Sequence, residues 1–288
     1  MRADLHSHSS VSDGTEPPAV VVRRGAEAGL DVIALTDHDT VAGQREAASA
    51  LPPGMVLLPG AELSCRLEGH SVHLLAYLFD TENDELVGEM AEIRESRLFR
   101  ARAMVDKLAA LGVPVTWEQV SEIAGGGVVG RPHIARAMID SGVVASIEEA
   151  FTPQWIGPGG PAYVSRYALD PVRAIRLVGR AGGVTVLAHP RGAARGWQIP
   201  ADVIADLARA GLTGVEVNHP QHDERERARL SELAHALGLV VSGGSDDHGA
   251  LTGFRIGSEL APEGSYEELV RHATGASPVT GTDEGQNP

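Results

Sequence analysis

Brief apolar runs recur along the chain, and most of them stop at a histidine or a carboxylate. Ala3-Asp4-Leu5 runs into His6, and Val32 to Thr36 runs into Asp37-His38-Asp39. Met55 to Leu58 leads to Gly60-Ala61-Glu62, and Ser71 to Tyr77 carries His73. Val184 to Ala188 stops at His189-Pro190, Gly214-Val215 meets Glu216, and Leu239 to Val241 feeds Gly243-Gly244-Ser245-Asp246-Asp247-His248. Runs this short, bounded by Gly and Pro, predict buried parallel strands. Helices with recognisable ends lie between them. Pro17-Pro18 opens a run that stops at Gly29, and Asp170-Pro171 is an N-cap with proline in the first turn of a run closing at Gly182-Gly183. Pro200 to Ala210 ends at Gly211 and Asp223 to Leu237 ends at Gly238, while Ser265-Tyr266-Glu267-Glu268 has the form of a capping box. Strands alternating with helices place the polar strand ends on one rim, which predicts an α/β barrel with its site at the C-terminal ends of the strands.

One stretch breaks the alternation. From Thr81 to about Tyr163 no buried strand is evident. A helix is expected from about Glu85 to Leu111, with Leu86, Met90, Ile93, Leu98, Met104, Val105 and Leu108 as an imperfect apolar stripe. A shorter helix follows near Glu118 to Ala124, then Gly125-Gly126-Gly127, then another helix opened by Arg131-Pro132-His133. The reading is a barrel from residues 1–80 and 164–276, interrupted by a helical insertion at 81–163 that serves as a lid over the rim. The tail, 277–288, is poor in apolar residues and is expected to lack order.

Composition narrows the function. With 288 residues the chain is long enough to bury one barrel-sized core, and Cys65, its single cysteine, excludes an intramolecular disulfide. No apolar run approaches the roughly 20 residues of a membrane span, and the chain opens on a strand without a leader-like segment, so a soluble cytoplasmic protein is expected. The formal net charge of -15 argues against a long nucleic acid as partner, because such binding rests on Lys and Arg displacing counterions. A small phosphorylated substrate remains compatible, since cations held by some of the carboxylates would make the site locally positive.

The pair His6-Ser7-His8 is a weak signal alone, because surface and core histidines are common. Company gives it weight. The strand-end candidates are His6, His8, Asp13, His38, Glu62, His73, His189, Asp246 and His248, more than one ion can use, which implies two or three metals sharing a carboxylate. Mixed imidazole and carboxylate donors suit Mn, with Fe or Zn as alternatives, better than Mg or Ca.

Asp4-Leu5-His6-Ser7-His8-Ser9, Ser12-Asp13-Gly14, Leu35-Thr36-Asp37-His38-Asp39, Gly60-Ala61-Glu62, His73-Leu74-Leu75-Ala76-Tyr77, Ala188-His189-Pro190 and Gly244-Ser245-Asp246-Asp247-His248 together resemble the PHP family, named for polymerase and histidinol phosphatase domains. The resemblance spans residues 2 to about 257 and implies a distorted (β/α)7 barrel with a trinuclear metal centre. Carried over position by position, it implies one metal on His6, His8, Glu62 and Asp246, a second on Glu62, His73 and His189, and a third on Asp13, His38 and His248. Arg131-Pro132-His133-Ile134-Ala135-Arg136 and Gly159 to Val164 are similar to the subgroup of small phosphoesterases acting on nucleoside 3′,5′-bisphosphates, whose relatives trim short RNA from the 5′ end. Asp13 stands where the family's histidinol phosphatases tend to place a histidine nearby, which lowers the weight of that activity. The implied reaction is phosphomonoester hydrolysis by a water bridging the metals, held around Glu62, His73, Asp246 and His248.

Other residues carry weaker expectations, each beside a plainer one. Arg131 and His133 are candidate phosphate contacts, or ordinary residues of a helix start. His219 follows a strand on the same rim and is a candidate for substrate contact or proton donation, against a satisfied loop histidine. Arg191 is a further phosphate candidate and His222 a weaker one. Glu216 reads as structural support, and Asp37, Asp39 and Asp247 as partners that orient metal-bound imidazoles. His70, His235 and His272, and the arginines Arg94, Arg97, Arg100 and Arg102, read as surface residues. A non-catalytic, metal-stabilised accessory module is the competing class.

Overall fold

A computed structural model describes residues 1–125, 129–165, 167–192 and 197–282. Gly126-Gly127 of the expected triple-glycine turn and residues 283–288 of the tail lie outside these. Seven strands form a sheet in sequence order: β1 (Ala3–Asp4), β2 (Val32–Leu35), β3 (Val56–Leu67), β4 (His70–Tyr77), β5 (Val184–Leu187), β6 (Gly214–Asn218) and β7 (Val240–Gly243). The ends of the sheet meet. Leu5 N–H donates to Gly243 O at 3.2 Å, Asp246 N–H to His6 O at 2.8 Å and His8 N–H to Asp247 O at 2.9 Å, which brings the sheet to a nearly closed barrel.

Pairing is parallel from β1 to β3 and from β5 to β7, but β4 runs antiparallel to both neighbours. This departs from the all-parallel expectation for a plain reason. Only Glu68 and Gly69 connect β3 to β4, both at positive φ (50° and 85°), and a two-residue link makes a hairpin where a parallel pair needs a crossover. The reversal matters for the site, because it puts His73 near the start of its strand rather than past its end. In the hairpin register Glu62 faces Leu75 and Ser64 faces His73, so Glu62 and His73 are diagonal neighbours on one face.

The helices are α1 (Pro18–Glu27), α2 (Gln44–Ser49), α3 (Asp84–Ala110), α4 (Trp117–Ile123), α5 (Arg131–Asp140), α6 (Ile147–Ala150), α7 (Pro171–Arg180), α8 (Ala201–Ala210), α9 (Glu224–Leu237) and α10 (Ser265–His272). Caps follow the sequence at most ends. Asp170 accepts from Arg173 N–H and Asp223 from Glu226 N–H, and Gly211 and Gly238 close α8 and α9 in the left-handed region. The expected capping box at Ser265 does not form. Gly264 holds the cap position and the buried Ser265 hydroxyl instead donates to Val241 O at 2.7 Å.

Two compact units divide the chain, residues 1–90 with 168–288 and residues 91–167. The first turns of α3 belong to the first unit. Leu86 and Met90 are buried there, Glu85 accepts from Arg180 at 2.7 Å and Glu89 from Arg173. In this unit one apolar cluster joins Leu5, Val32, Ala34, Leu58, Leu75, Tyr77, Val186 and Val240. Another packs α1 and α2 on the alternate residues Ile33, Leu35 and Leu57. Both faces of these strands are thus buried, which is why they read as continuous apolar runs. Burial stabilises by roughly 1.5–3 kcal/mol per large side chain against about 1 kcal/mol per helix cap, so packing decides the element and caps trim its ends. The second unit has its own core, including Met104, Leu108, Val120, Ile134, Met138 and Ile156.

Val279–Thr280, within the tail expected to lack order, forms a short strand β8 paired antiparallel with Leu57 and Val56 of β3. The pairing needs only main-chain groups, which composition does not register. Among the described residues no helix is long and apolar enough to cross a membrane.

Candidate metal centre

His6 and His8 follow β1 on alternate residues, so both rings leave the chain on the same side. Their approach to the far end of the sequence depends on Gly244: a Cβ there would lie 2.5 Å from both the Cβ and the N of His6. Asp4 ties the same seam, accepting from Ser245 N–H at 2.9 Å and Gly257 N–H at 2.8 Å. Two further strand-end residues are turned by backbone that non-glycine residues seldom adopt, His189 at φ 29° and Asp246 at φ 50°. Such conformations persist where the surroundings fix them, and here both side chains point into the cluster.

Four donor atoms converge. His6 Nε2 lies 3.1 Å from His8 Nε2, 3.4 Å from Glu62 Oε2 and 3.3 Å from Asp246 Oδ1, and His8 Nε2 lies 3.2 and 3.3 Å from the same two oxygens. The other Glu62 oxygen faces elsewhere: Oε1 is 2.5 Å from His73 Nδ1 and 3.0 Å from His189 Nε2. A third group gathers His8, Asp13, His38 and His248, with His248 Nε2 3.4 Å and His38 Nε2 3.7 Å from Asp13. All nine strand-end candidates therefore come together in the first unit, and Glu62 stands between imidazole sets, Oε1 toward His73 and His189 and Oε2 toward His6, His8 and, at 3.2 Å, His38 Nδ1, which also groups with Glu62 and His73.

The donor chemistry fits cations. His6 Nδ1–H donates to Glu216 Oε1 at 3.0 Å, which leaves Nε2 with its lone pair aimed at His8 Nε2 and two carboxylate oxygens. Glu62 Oε2 is buried with no hydrogen-bond partner among the described residues. Four acceptors packed at 3.1–3.4 Å repel unless positive charge sits among them. Separations near 3.4 Å are also those of a tetrahedral shell at roughly 2.1 Å. Titration directions agree: burial opposes charging His8, but Asp246 and Glu62 outweigh it and carry the ring up to about 10. Burial likewise raises Glu62, and the rings of His73, His38 and His6 more than reverse this, holding it well below the carboxylate range. These carboxylates draw positive charge onto their neighbours, and a divalent cation supplies it without protonating the rings. No thiolate takes part. Cys65 is buried, and it stands in none of the ligand groups.

Around the donors lies a fully buried support. Glu216, with no motif to mark it, accepts from His6 on one oxygen and from His189 N–H at 2.7 Å on the other. Burial raises its pKa, but His6, His219 and His189 hold it below the usual range, so it stays an acceptor. A further carboxylate-imidazole set, His6, Glu216 and His219, is thus a hydrogen-bonded brace rather than a cation shell. His219, expected at the substrate, is itself buried in the cluster: Nδ1 accepts from Gln221 N–H at 3.1 Å, and Nε2 lies 3.3 Å from Asp246 Oδ2, to which it donates in that tautomer. His222 is a satisfied loop histidine, its Nδ1–H on Val217 O and its Nε2 accepting from Arg191 N–H. The Arg191 guanidinium lies 3.6 Å from Glu226.

The bonds of Asp37 and Asp247 hold loops rather than imidazoles. Asp37 accepts from Ser9 and Ser12, and Asp247 from Gly249, Thr252 and Arg255. Asp39, at φ 54°, accepts from Ser64 N–H. In the second unit Arg131 lies over the Phe151 ring at 4.8 Å, and the buried His133 accepts from Gly130 N–H at 3.0 Å through Nδ1, the helix-start arrangement. Arg97 and Arg100 are buried, against the solvated face expected for them, while Arg102 stacks on Trp117. His70, His235 and His272 are exposed, His70 against Trp197. Glu216 takes the supporting role expected of it, whereas Asp4 has no spacing to betray its task at the seam.

Comparison with known proteins places this geometry. The PHP domain model matches residues 4–111. The 3′,5′-nucleoside bisphosphate phosphatase of Chromobacterium violaceum is 34% identical over 252 residues, 85% of this chain and 86% of that protein. The 5′-3′ exoribonuclease Rnm of Salmonella typhimurium is 31% identical over 260 residues, covering 89% and 88%. A crystal structure from Bifidobacterium adolescentis, described as a metal-dependent phosphoesterase, superposes with a TM-score of 0.86 at 32% identity, over 94% of this chain and 96% of that one.

Proposed function

The chain belongs to the PHP family of metal-dependent phosphoesterases, and from that premise we propose that it hydrolyses a nucleoside 3′,5′-bisphosphate to the nucleoside monophosphate and inorganic phosphate. The observation that carries the proposal is Glu62, whose two oxygens face separate imidazole sets 2.5–3.4 Å away. Two or three divalent ions, Mn in preference to Fe or Zn, fit these donors. When bound, such ions lower the pKa of a water and neutralise charge on the phosphoryl oxygens.

The residues of the chain supply the rest. Glu62 keeps the two sets in register, with His6, His8 and Asp246 on one side and His73 and His189 on the other. Asp13, His38 and His248 complete a third group. With ions bound, Glu62, His73, Asp246 and His248 would hold the cations that carry the attacking water, and those cations would offset the charge of the phosphoryl oxygens. Glu216 keeps the Nδ1 proton on His6, so that its Nε2 stays a donor of electrons. His219, with its Nε2–H on Asp246, braces that carboxylate. Short 5′-phosphorylated RNA is a second reading, favoured by the exoribonuclease relative matched over 89% of this chain.

Incubating Mn-loaded protein with adenosine 3′,5′-bisphosphate tests the proposal. Phosphate release far above that of the His8→Ala variant is expected. Release equal to the variant overturns the proposal, and a dominant rate on histidinol phosphate in the same panel moves the substrate class.

A further inference from the structure

Asp246 contributes Oδ1 to the His6, His8 and Glu62 group, yet its backbone sits at φ 50°, a conformation that side chains other than glycine seldom adopt. Its carbonyl oxygen is a junction. It accepts from His248 Nδ1–H at 3.0 Å, the bond that leaves His248 Nε2 aimed at Asp13. It also accepts from Arg255 Nη2–H at 2.8 Å, and the same nitrogen lies 3.8 Å from Asp246 Oδ2.

Arg255 is delivered there by an unusual arch. The preceding Phe254 is at φ 53° with the Arg24 guanidinium 4.2 Å from its ring centroid, and Arg255 N–H is taken by Asp247 Oδ1. The Arg255 Nε is buried with no hydrogen-bond partner among the described residues, so the side chain is held by its end.

We propose that Arg255 is a positioning residue for two metal groups at once. By fixing the Asp246 peptide, it aims the Asp246 carboxylate at His6 and His8, and it presents the carbonyl that sets the tautomer and direction of His248 toward Asp13. The inference rests on the reading that these groups hold cations, but not on the substrate assigned above. A guanidinium suits the task, because its rigid plane fixes the direction in which Nη2 donates to the carbonyl while keeping its charge 3.8 Å from the carboxylate of the same residue. Lysine carries a comparable charge, but on a flexible stem that fixes no direction.

The test is Mn²⁺ titration of metal-free protein, followed by calorimetry and by the electron paramagnetic resonance of bound Mn²⁺, for the natural chain, Arg255→Lys, Arg255→Met and Arg24→Ala. Outer residues that orient ligands typically change affinity 10–100-fold. Arg255→Met is expected to weaken binding about 10-fold or more at two groups together, and Arg255→Lys to recover part of that loss. Arg24→Ala, which loosens the arch without touching the carbonyl, should give a smaller weakening in the same direction. Mn²⁺ affinity within 2-fold of the natural chain in a folded Arg255→Met overturns the proposal, as does weakening at one group only. If Arg255→Met does not fold, the same criteria apply to Arg255→Lys. A raised KM with unchanged Mn²⁺ affinity would also overturn it, making Arg255 a substrate contact. Absence of turnover on nucleoside bisphosphates leaves these readouts intact and bears only on the substrate.

Discussion

At the scale of single residues, the centre turns on a division of labour between donors and the groups that keep them donors. His6 illustrates it: one nitrogen is committed to Glu216, which frees the other for the cluster. Glu62 is the extreme case, since neither oxygen can be lost without opening an imidazole set. Glu62→Gln retains the shape but replaces one oxygen by an amide that donates where an acceptor is required. It is expected to lower bound Mn²⁺ by at least one ion per chain by elemental analysis and kcat by at least about 100-fold. Full occupancy with activity within tenfold would refute the bridging role. The donors were legible in the sequence because His and Asp at alternate or strand-end positions form recurrent patterns. Of their supports, Glu216 was expected to be structural but without a named partner, and Asp4 and Arg255 were not singled out: the three act through contacts 210, 241 and 9 residues away in sequence, fixed by the fold rather than by a recurrent spacing.

At the scale of elements, strands and helices were readable wherever both faces of a strand are buried or one face of a helix is apolar, as in β2 and α7. What the periodicity could not carry was direction. The β3–β4 reversal follows from a two-residue link, and β8 from main-chain pairing alone. Two glycines separate the effects. Gly69 is at φ 85° with open space around it, so Gly69→Ala should cost about 1–2 kcal/mol in backbone strain and leave Mn²⁺ binding unchanged. Gly244 has no left-handed backbone but abuts His6, so Gly244→Ala should cost about 1–3 kcal/mol by overpacking and should also weaken Mn²⁺ binding. Urea midpoints and Mn²⁺ titrations of the two variants distinguish these causes. Equal effects on metal binding would mean that the close approach at His6 has no special importance.

At the scale of the whole molecule, four of the 39 acidic residues, Asp13, Glu62, Glu216 and Asp246, converge on one end of the barrel in the first unit. Ions that bind only the folded chain stabilise it by about 2.7 kcal/mol at a free concentration 100 times Kd. For a chain of this size that corresponds to roughly 4–5 °C in Tm. Removing metal with a chelator should therefore lower Tm by several degrees, and restoring Mn²⁺ should return it. The loss has a location as well as a size. All the ligand groups found among the described residues lie in residues 1–90 and 168–288. Hydrogen exchange after chelation should accordingly rise where β1 meets β7, around Leu5, His8 and Asp246, whose amides close the barrel. Amides in α4 and α5 of the second unit, which carry no such group, should keep their protection. Uniform loss across both units would show that the metals stabilise the chain by some route other than closing this seam, and no loss in either would show that the buried carboxylates are already balanced without them.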